Sequence, residues 1–296
     1  MESKKAIYDL LPSDYYPETL FFYSGTSIDE IKKQVDFSKL TFPLIGKPDI
    51  GMRGMAVQKL ESLEDVEAYA KASKVSFLLQ TYVRFENEVG IFYYRYPGEQ
   101  NGNISGIVLK EFLSVQGDGV SAIEDLLQKD ERFILQIPVL KKTYGKDLKQ
   151  VLPDKEDYLL VPYGNHSRGA KFIDASHLVD DQLTQAIDAV CKQVKGFYFG
   201  RLDVRYNTWK ELRQGKFSII ELNGAGSEPA HIYDPRHSIF FAWKEIIRHL
   251  NILYKISRKN HQLQRIPYMK LKKGLAMFSE NTAYVKKITE DIKLRA

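Results

Sequence analysis

The sequence predicts an α+β fold of sheets with helices on their faces. Three observations point there: apolar runs of strand length at 77–82 and 89–96, helical apolar spacing at 179–195, and two strands at 200–206 and 217–223 joined by a polar stretch.

Taken in order, residues 40–47 (LTFPLIGK) read as an apolar strand, after which Gly51 and Gly54 open a loop. A helix follows over 62–74, with Ser62 as N-cap and acids in its first turn. Strands are expected at 77–82, 89–96 and 106–113. Gly117, Asp118 and Gly119 make a turn, with Ser121 capping a helix that starts near Ala122. A further strand at 158–163 precedes the loop GNHSRGA. In the helix at 179–195, Leu183, Ala186, Ile187, Val190, Cys191 and Val194 share one face, which makes the single cysteine a core residue. No repeat of solenoid length is present, and the polar gap at 84–87 is the best candidate hinge.

Composition is that of an ordinary globular protein: 296 residues, 44% hydrophobic and 27% charged. Asp9 and Asp14 interrupt the amino-terminal apolar residues, which argues against a secretory signal, and no apolar run reaches the roughly 20 residues of a membrane span. One cysteine allows no intramolecular disulfide, so a reducing, cytoplasmic setting is expected. The net charge of +5 is uneven, because residues 236–296 hold 14 Lys and Arg against 4 acids, whereas 1–235 hold 29 against 34.

The strand pair 200–206 and 217–223 carries unexpected polar groups. Alternation puts Arg201, Asp203 and Arg205 on one face with Leu202 and Val204 opposite; in the second strand Glu221 and Asn223 share a face, with Ile220 and Leu222 opposite. A hairpin centred near residue 212 sets Asp203 across from Glu221. Opposed carboxylates repel, which a cation between them relieves, and with the Asn223 amide they make an all-oxygen set that suits Mg²⁺. The alternative is a solvated sheet face on which Arg201 and Arg205 neutralise the acids. A second cluster lies in FPLIGKPDIGMRGMAV (42–57), where Lys47 ends a strand and Gly51 and Gly54 allow a backbone to fold over phosphates; it follows neither the Walker A nor the Rossmann pattern.

In this order the segments resemble the ATP-grasp superfamily, and within it the D-alanine:D-alanine ligase and cyanophycin-synthetase-like branch, over about residues 5–235. The resemblance implies two α+β subdomains with mixed or antiparallel sheets gripping ATP, at 1–83 and 84–235, followed by a basic helical tail at 236–296. It implies that Lys5, Lys47, Gly51 and Gly54 meet the nucleotide phosphates, that Gln80 and the backbone of Tyr82 hold adenine, and that Glu88 holds ribose. The family often has Glu where Gln80 stands, and an amide can still accept from the adenine amino group. The closest motifs are GRLDV and IIELNGAGSEP. By that resemblance Asp203, Glu221 and Asn223 bind two Mg²⁺ ions, Arg201 stabilises transition-state charge, and Gly226 and Ser227 receive a substrate carboxylate. Arg168, in YGNHSRGAKFID, is the residue expected at the γ-phosphate, while His166 beside it reads as a hydrogen-bonding loop residue.

The implied reaction is the family's: ATP phosphorylates a carboxylate and an amine attacks the acyl phosphate, with small-molecule or peptide substrates. An ATP-binding module that works with a partner, and a kinase-like phosphotransferase, are the alternatives. Family members carry a Rossmann-like domain of on the order of 100 residues ahead of the equivalent of Lys5. The given sequence does not include it, so substrate is expected to be held by another chain, the tail or a carrier, or ligation to be absent.

The tail opens with a helix in which Ile239, Phe240, Trp243, Ile246, Ile247, Leu250, Leu253 and Tyr254 form a wide apolar face, expected to pack on the body. Beyond it RIPYMKLKKGLAMF reads as a solvated basic helix end, with a membrane surface or an acidic protein partner as the alternative. No nucleic-acid motif accompanies the basic residues, so nucleic acid is not expected; oligomeric state stays open.

Overall fold

The computed structural model describes residues 3–51, 54–161, 164 and 169–295. Helix α1 (Lys4–Tyr8) starts at Ser3, whose hydroxyl accepts from the Ala6 amide. Strand β1 (Thr19–Phe22), α2 (Ile28–Phe37), β2 (Leu44–Pro48), β3 (Gln58–Leu60), α3 (Leu63–Ala72) and β4 (Phe77–Thr81) follow. Ser62 caps α3 as expected, accepting from the Asp65 amide. The four strands form one antiparallel sheet in the order β1-β4-β2-β3. Ile31, Val35, Val66 and Tyr69 of α2 and α3 bury against Leu44, Phe77 and Leu79, a core of its own.

A second antiparallel sheet has the order β11-β10-β5-β6-β9. It is built from β5 (Asn87–Tyr94), β6 (Asn103–Glu111), β9 (Lys171–Asp174), β10 (Phe199–Tyr206) and β11 (Ser218–Asn223). Between β6 and β9 the chain forms β7 (Leu113–Gln116), the short helices α4 (Ile123–Gln128), α5 (Glu131–Ile134) and α6 (Ile137–Tyr144), and β8 (Asp157–Val161), around a small third core. The cap expected at Ser121 falls to Ala122 instead, because Asp118 ties up the Ser121 amide and hydroxyl. Helix α7 (Asp181–Cys191), capped by Asp180, lays Leu183, Ile187 and Val190 on Ile91, Leu202 and Val204. Each such side chain, taken fully out of water, contributes roughly 1.5–3 kcal/mol. Tyr8 and Leu11, early in the chain, belong to this core.

Helix α8 (Trp209–Arg213) links β10 to β11, and the register is the one read from the sequence: Arg201 pairs Asn223, Leu202 pairs Leu222 and Asp203 pairs Glu221. Past Asp203 a bulge shifts the ladder, so that Val204 pairs Ile219. The expectation that Ile220 and Leu222 share the core face is thereby corrected. Ile219 takes the buried position with Leu222, and Ile220 is the inserted residue.

Helices α9 (Ile239–Gln264) and α10 (Leu271–Arg295) complete the chain. Helix α9 packs on the second sheet, but largely with another side from the one expected, Leu253 alone of the expected face joining the contact. Ile252 and Ile256 meet Phe92 and Phe199, and Glu245 and His249 are buried beside them. Phe240, Trp243, Ile247, Leu250 and Tyr254 point to solvent. Near its far end α10 buries Ile288 against Ala56 and Val75.

Candidate functional site

Alternation along four strands assembles one polar face on the second sheet. Asp203 and Arg205 of β10 lie beside Glu88 of β5, Lys110 of β6 and Glu221 of β11. Gly90 sits opposite Asp203, and a Cβ there would stand 3.0 Å from the Asp203 carboxylate. The missing side chain lets that carboxylate lie across β5 toward Lys110.

Asp203 accepts from Arg201 Nε at 3.0 Å and Nη2 at 3.2 Å, and pairs with Lys110 Nζ at 3.1 Å. Burial pushes its carboxyl up, but Arg201 and Lys110 outweigh burial and hold it below the usual carboxylate range. Lys110 Nζ also donates to Glu88 Oε1 at 2.8 Å, and Arg205 Nε lies 3.3 Å from Glu88 Oε2. The Gly164 amide donates to the same Oε2 at 3.1 Å. Glu88, expected to bind ribose, therefore has both oxygens engaged inside this network.

Lys47 projects from β2 of the first sheet to meet β11 of the second. Its Nζ donates to Tyr8 Oη at 2.8 Å, to Gln80 Oε1 at 2.7 Å and to the Ile220 carbonyl at 3.3 Å. Tyr8 donates to the same carbonyl at 2.6 Å. Burial pushes the Lys47 ammonium down to about 8, with the neighbouring Glu221 pulling the other way. Gln80 also donates to Thr19 Oγ1, so its amide orients Lys47, and the Tyr82 amide is bonded to Pro43 O. The Gln80 side chain and the Tyr82 amide are thus both engaged.

Lys5 departs from its expected place. Its Nζ pairs with Asp9 on the exposed side of α1, while Lys4 turns inward and donates to the carbonyls of Asp49 and Gly51. The phase of α1 decides this: the Ser3 hydroxyl and the Lys5 amide both donate to Asp49 Oδ1, docking the first turn on the end of β2. Burial lowers the Lys4 ammonium, and Glu221 opposes that. Two cations from the first sheet's side thus act on Glu221. Gly51 and Gly54, with φ +64° at Gly54, flank this point. Arg168 and His166 lie outside the described residues.

The expected metal set divides. Asp203 is already compensated by two protein cations, Lys110 and Arg201. Among the described residues no ion pair engages Glu221, and the Asn223 side-chain nitrogen is buried without a hydrogen-bond partner. Nor do three His, Cys, Asp or Glu side chains converge as a metal cluster among them. Glu221 and the Asn223 amide oxygen are hard oxygen donors of the kind that Mg²⁺ takes, whereas Asp203 is held by Lys110 and Arg201. Ser227 Oγ donates back to the Asn223 and Gly224 carbonyls, closing the turn after β11, and Gly226 faces open space.

Lys4, Tyr8 and Lys110 were missed from sequence. Lys110 had a signal, as a lone lysine inside the apolar run of β6 on the face shared with Val108. Lys4 and Tyr8 had none, since their roles depend on where α1 docks.

No protein-family model matches this sequence, and no curated protein matches it. Among solved structures it is similar to D-alanine–D-alanine ligase from Bacillus anthracis (TM-score 0.45, 13% identity, 89% of this chain and 68% of that one). It is also similar to the VanG D-Ala:D-Ser ligase from Enterococcus faecalis (0.46, 12%, 87% and 61%). A third is a bifunctional glutathione synthetase from Pasteurella multocida (0.43, 16%, 84% and 36%). The chain thus spans between about a third and two thirds of the length of these proteins.

Proposed function

We propose that the chain is an ATP-dependent ligase that activates a carboxylate as an acyl phosphate and joins it to an amine. The observation that carries the reading is the meeting of two sheets at β11: Lys4 and Lys47 approach from one side, and Glu221 and Asn223 stand at the strand end beside Arg201. Cations that neutralise phosphate, oxygen ligands and an arginine, with no protein nucleophile, are what phosphoryl transfer to a carboxylate requires.

In the proposed reaction a carboxylate oxygen takes the γ-phosphoryl group from ATP and releases ADP. The amine then attacks the acyl carbon, loses a proton and displaces phosphate. Lys47 and Lys4 hold the nucleotide phosphates, and Arg201, aligned by Asp203, offers its guanidinium to the charge that develops. Glu221 and Asn223 would hold Mg²⁺, which when bound neutralises phosphate charge. Gly226 and Ser227 are proposed to border the substrate carboxylate. Nucleotide entry requires Lys47 and Tyr8 to leave the Ile220 carbonyl, so the two sheets, proposed as subdomains divided near residue 83, open there. The buried thiol of Cys191 suits a reducing, cytoplasmic setting.

One observation favours a second reading, an ATP-binding module without ligation: Lys47 is bonded to Gln80, Gln80 also to Thr19, and Glu88 to Lys110. Calorimetric titration with a non-hydrolysable ATP analogue, with and without Mg²⁺, tests both. Binding that needs Mg²⁺ and weakens about tenfold or more in Glu221→Gln is expected. Absence of binding in either condition overturns the nucleotide site. Binding without phosphate release on addition of any acid and amine pair leaves the module reading.

A further inference from the structure

Helix α9 carries two faces of different character. Glu245, His249, Ile252 and Ile256 turn to the sheet. Phe240, Trp243, Ile247, Leu250 and Tyr254, spaced three and four residues apart, form a stripe on the opposite side over four turns. Their exposure is that of free surface: Phe240 is 73% exposed, Trp243 55% and Ile247 66%. Soluble surfaces rarely leave so long an apolar stripe uncovered unless something binds there.

The charges around the stripe say what fits it. Residues 239–278 hold nine Lys and Arg and one acid, Glu245. That acid is turned inward and bonded to His231 and Arg248. Lys244, Lys255 and Arg258 flank the stripe on one side, and Arg258 lies over the Tyr254 ring. Glu99, the body's acid on this flank, is paired with Lys259 at 3.0 Å. The start of α10 repeats the composition, with Leu271, Leu275 and Phe278 exposed beside Lys270, Lys272 and Lys273.

A second copy of the chain would bring these cationic flanks against each other, although the spacing resembles a coiled-coil seam. An aromatic and aliphatic stripe with a basic flank is instead the composition of a helix lying in a bilayer interface, where anionic headgroups meet the cations and the rings enter the acyl boundary. No helix among the described residues is long and apolar enough to cross a membrane. We propose that this face of α9 docks the protein on the surface of a bilayer that contains anionic phospholipid.

Flotation of the full chain with vesicles tests this, comparing phosphatidylcholine alone with phosphatidylcholine containing phosphatidylglycerol. The expected result is flotation with the anionic vesicles only, suppressed by high salt. The double variant Trp243→Glu/Ile247→Glu should stay at the bottom, and Lys255→Glu/Arg258→Glu should lose about tenfold or more in partitioning. All these positions are exposed, and unchanged circular dichroism would confirm that the variants fold. Failure to float with anionic vesicles overturns the proposal, as does equal flotation with neutral ones. So does a concentration-dependent dimer in sedimentation that Trp243→Glu/Ile247→Glu abolishes, because a second copy would then cover the stripe.

Discussion

The same face of the second sheet buries polar groups at both ends, and treats them in opposite ways. At the β11 end the groups are ions: Glu88, Lys110, Asp203 and Arg205 pair with one another at 2.8–3.3 Å. At the end under α9 the histidines carry depressed pKa values, that of His249 held by burial at about 4 and that of His231 lowered for the same reason. His249 bonds Ser105 Oγ and the Glu245 carbonyl, each at 2.8 Å, and His231 bonds Glu245. Each end also gives up a side chain to make room. Gly90 admits the Asp203 carboxylate, and a Cβ at Gly106 would stand 2.3 Å from His231 Nδ1. The contrast teaches where charge is kept. Beside the proposed phosphate site both signs of charge stay buried and fix Arg201 and Asp203, whereas under α9 the buried charge is Glu245, paired with Arg248, and the imidazoles beside it are held neutral by burial.

Breaking the charged end should have the largest effect. Lys110→Met leaves Glu88 with one fewer cation and Asp203 with Arg201 alone, and is expected to cost about 3–5 kcal/mol in denaturant unfolding. A loss under about 1 kcal/mol would show that the network is hydrated rather than buried. Glu221→Gln, which breaks no described ion pair, is the contrasting change, since it should spare stability while weakening Mg²⁺-dependent binding about tenfold or more.

The covered end should respond to pH instead. Because burial holds folded His249 at about 4, below the usual 6.5, the undocked helix takes up a proton that the docked one refuses as pH falls between those values. Glu245 pulls the imidazole up, while Arg248 and His231 push it down. Hydrogen exchange of α9 amides, corrected for intrinsic rates, is expected to accelerate about tenfold per pH unit over much of that range. His249→Gln should flatten most of the slope, with His231 leaving a remainder. An unchanged slope in the variant would assign the effect elsewhere.

The smallest effect separates two adjacent lysines. Lys5→Ala should change stability by less than about 0.5 kcal/mol, since its pair with Asp9 is exposed, and should leave nucleotide binding unaltered. Lys4→Ala should weaken binding of the ATP analogue. The reverse result would restore Lys5 to the phosphate site.

The hairpin was legible in the sequence because alternation and a polar connection of fixed length determine which residues face each other, and Asp203 meets Glu221 as read. The bulge was not, since Ile219 and Ile220 are chemically alike and only the partner strand distinguishes them. Helix α9 was legible as a helix, but its inward face was not. The sequence shows a wide apolar stripe, whereas the docked side uses Glu245 and His249, whose partners Ser105 and His231 are distant in the chain. Asp203's neutralisation by Lys110 was hidden for the same reason, as it crosses three strands.

The bulge at Ile220 has a genetic corollary. What joins the two sheets there is a main-chain oxygen, released from the ladder by one extra residue and taken by Tyr8 and Lys47. Every amino acid supplies that oxygen, so the junction is written in residue count rather than residue identity. Substitutions at position 220 should pass almost unnoticed in a mutational scan, whereas deletion of that single codon should uncouple Tyr8 and Lys47 together.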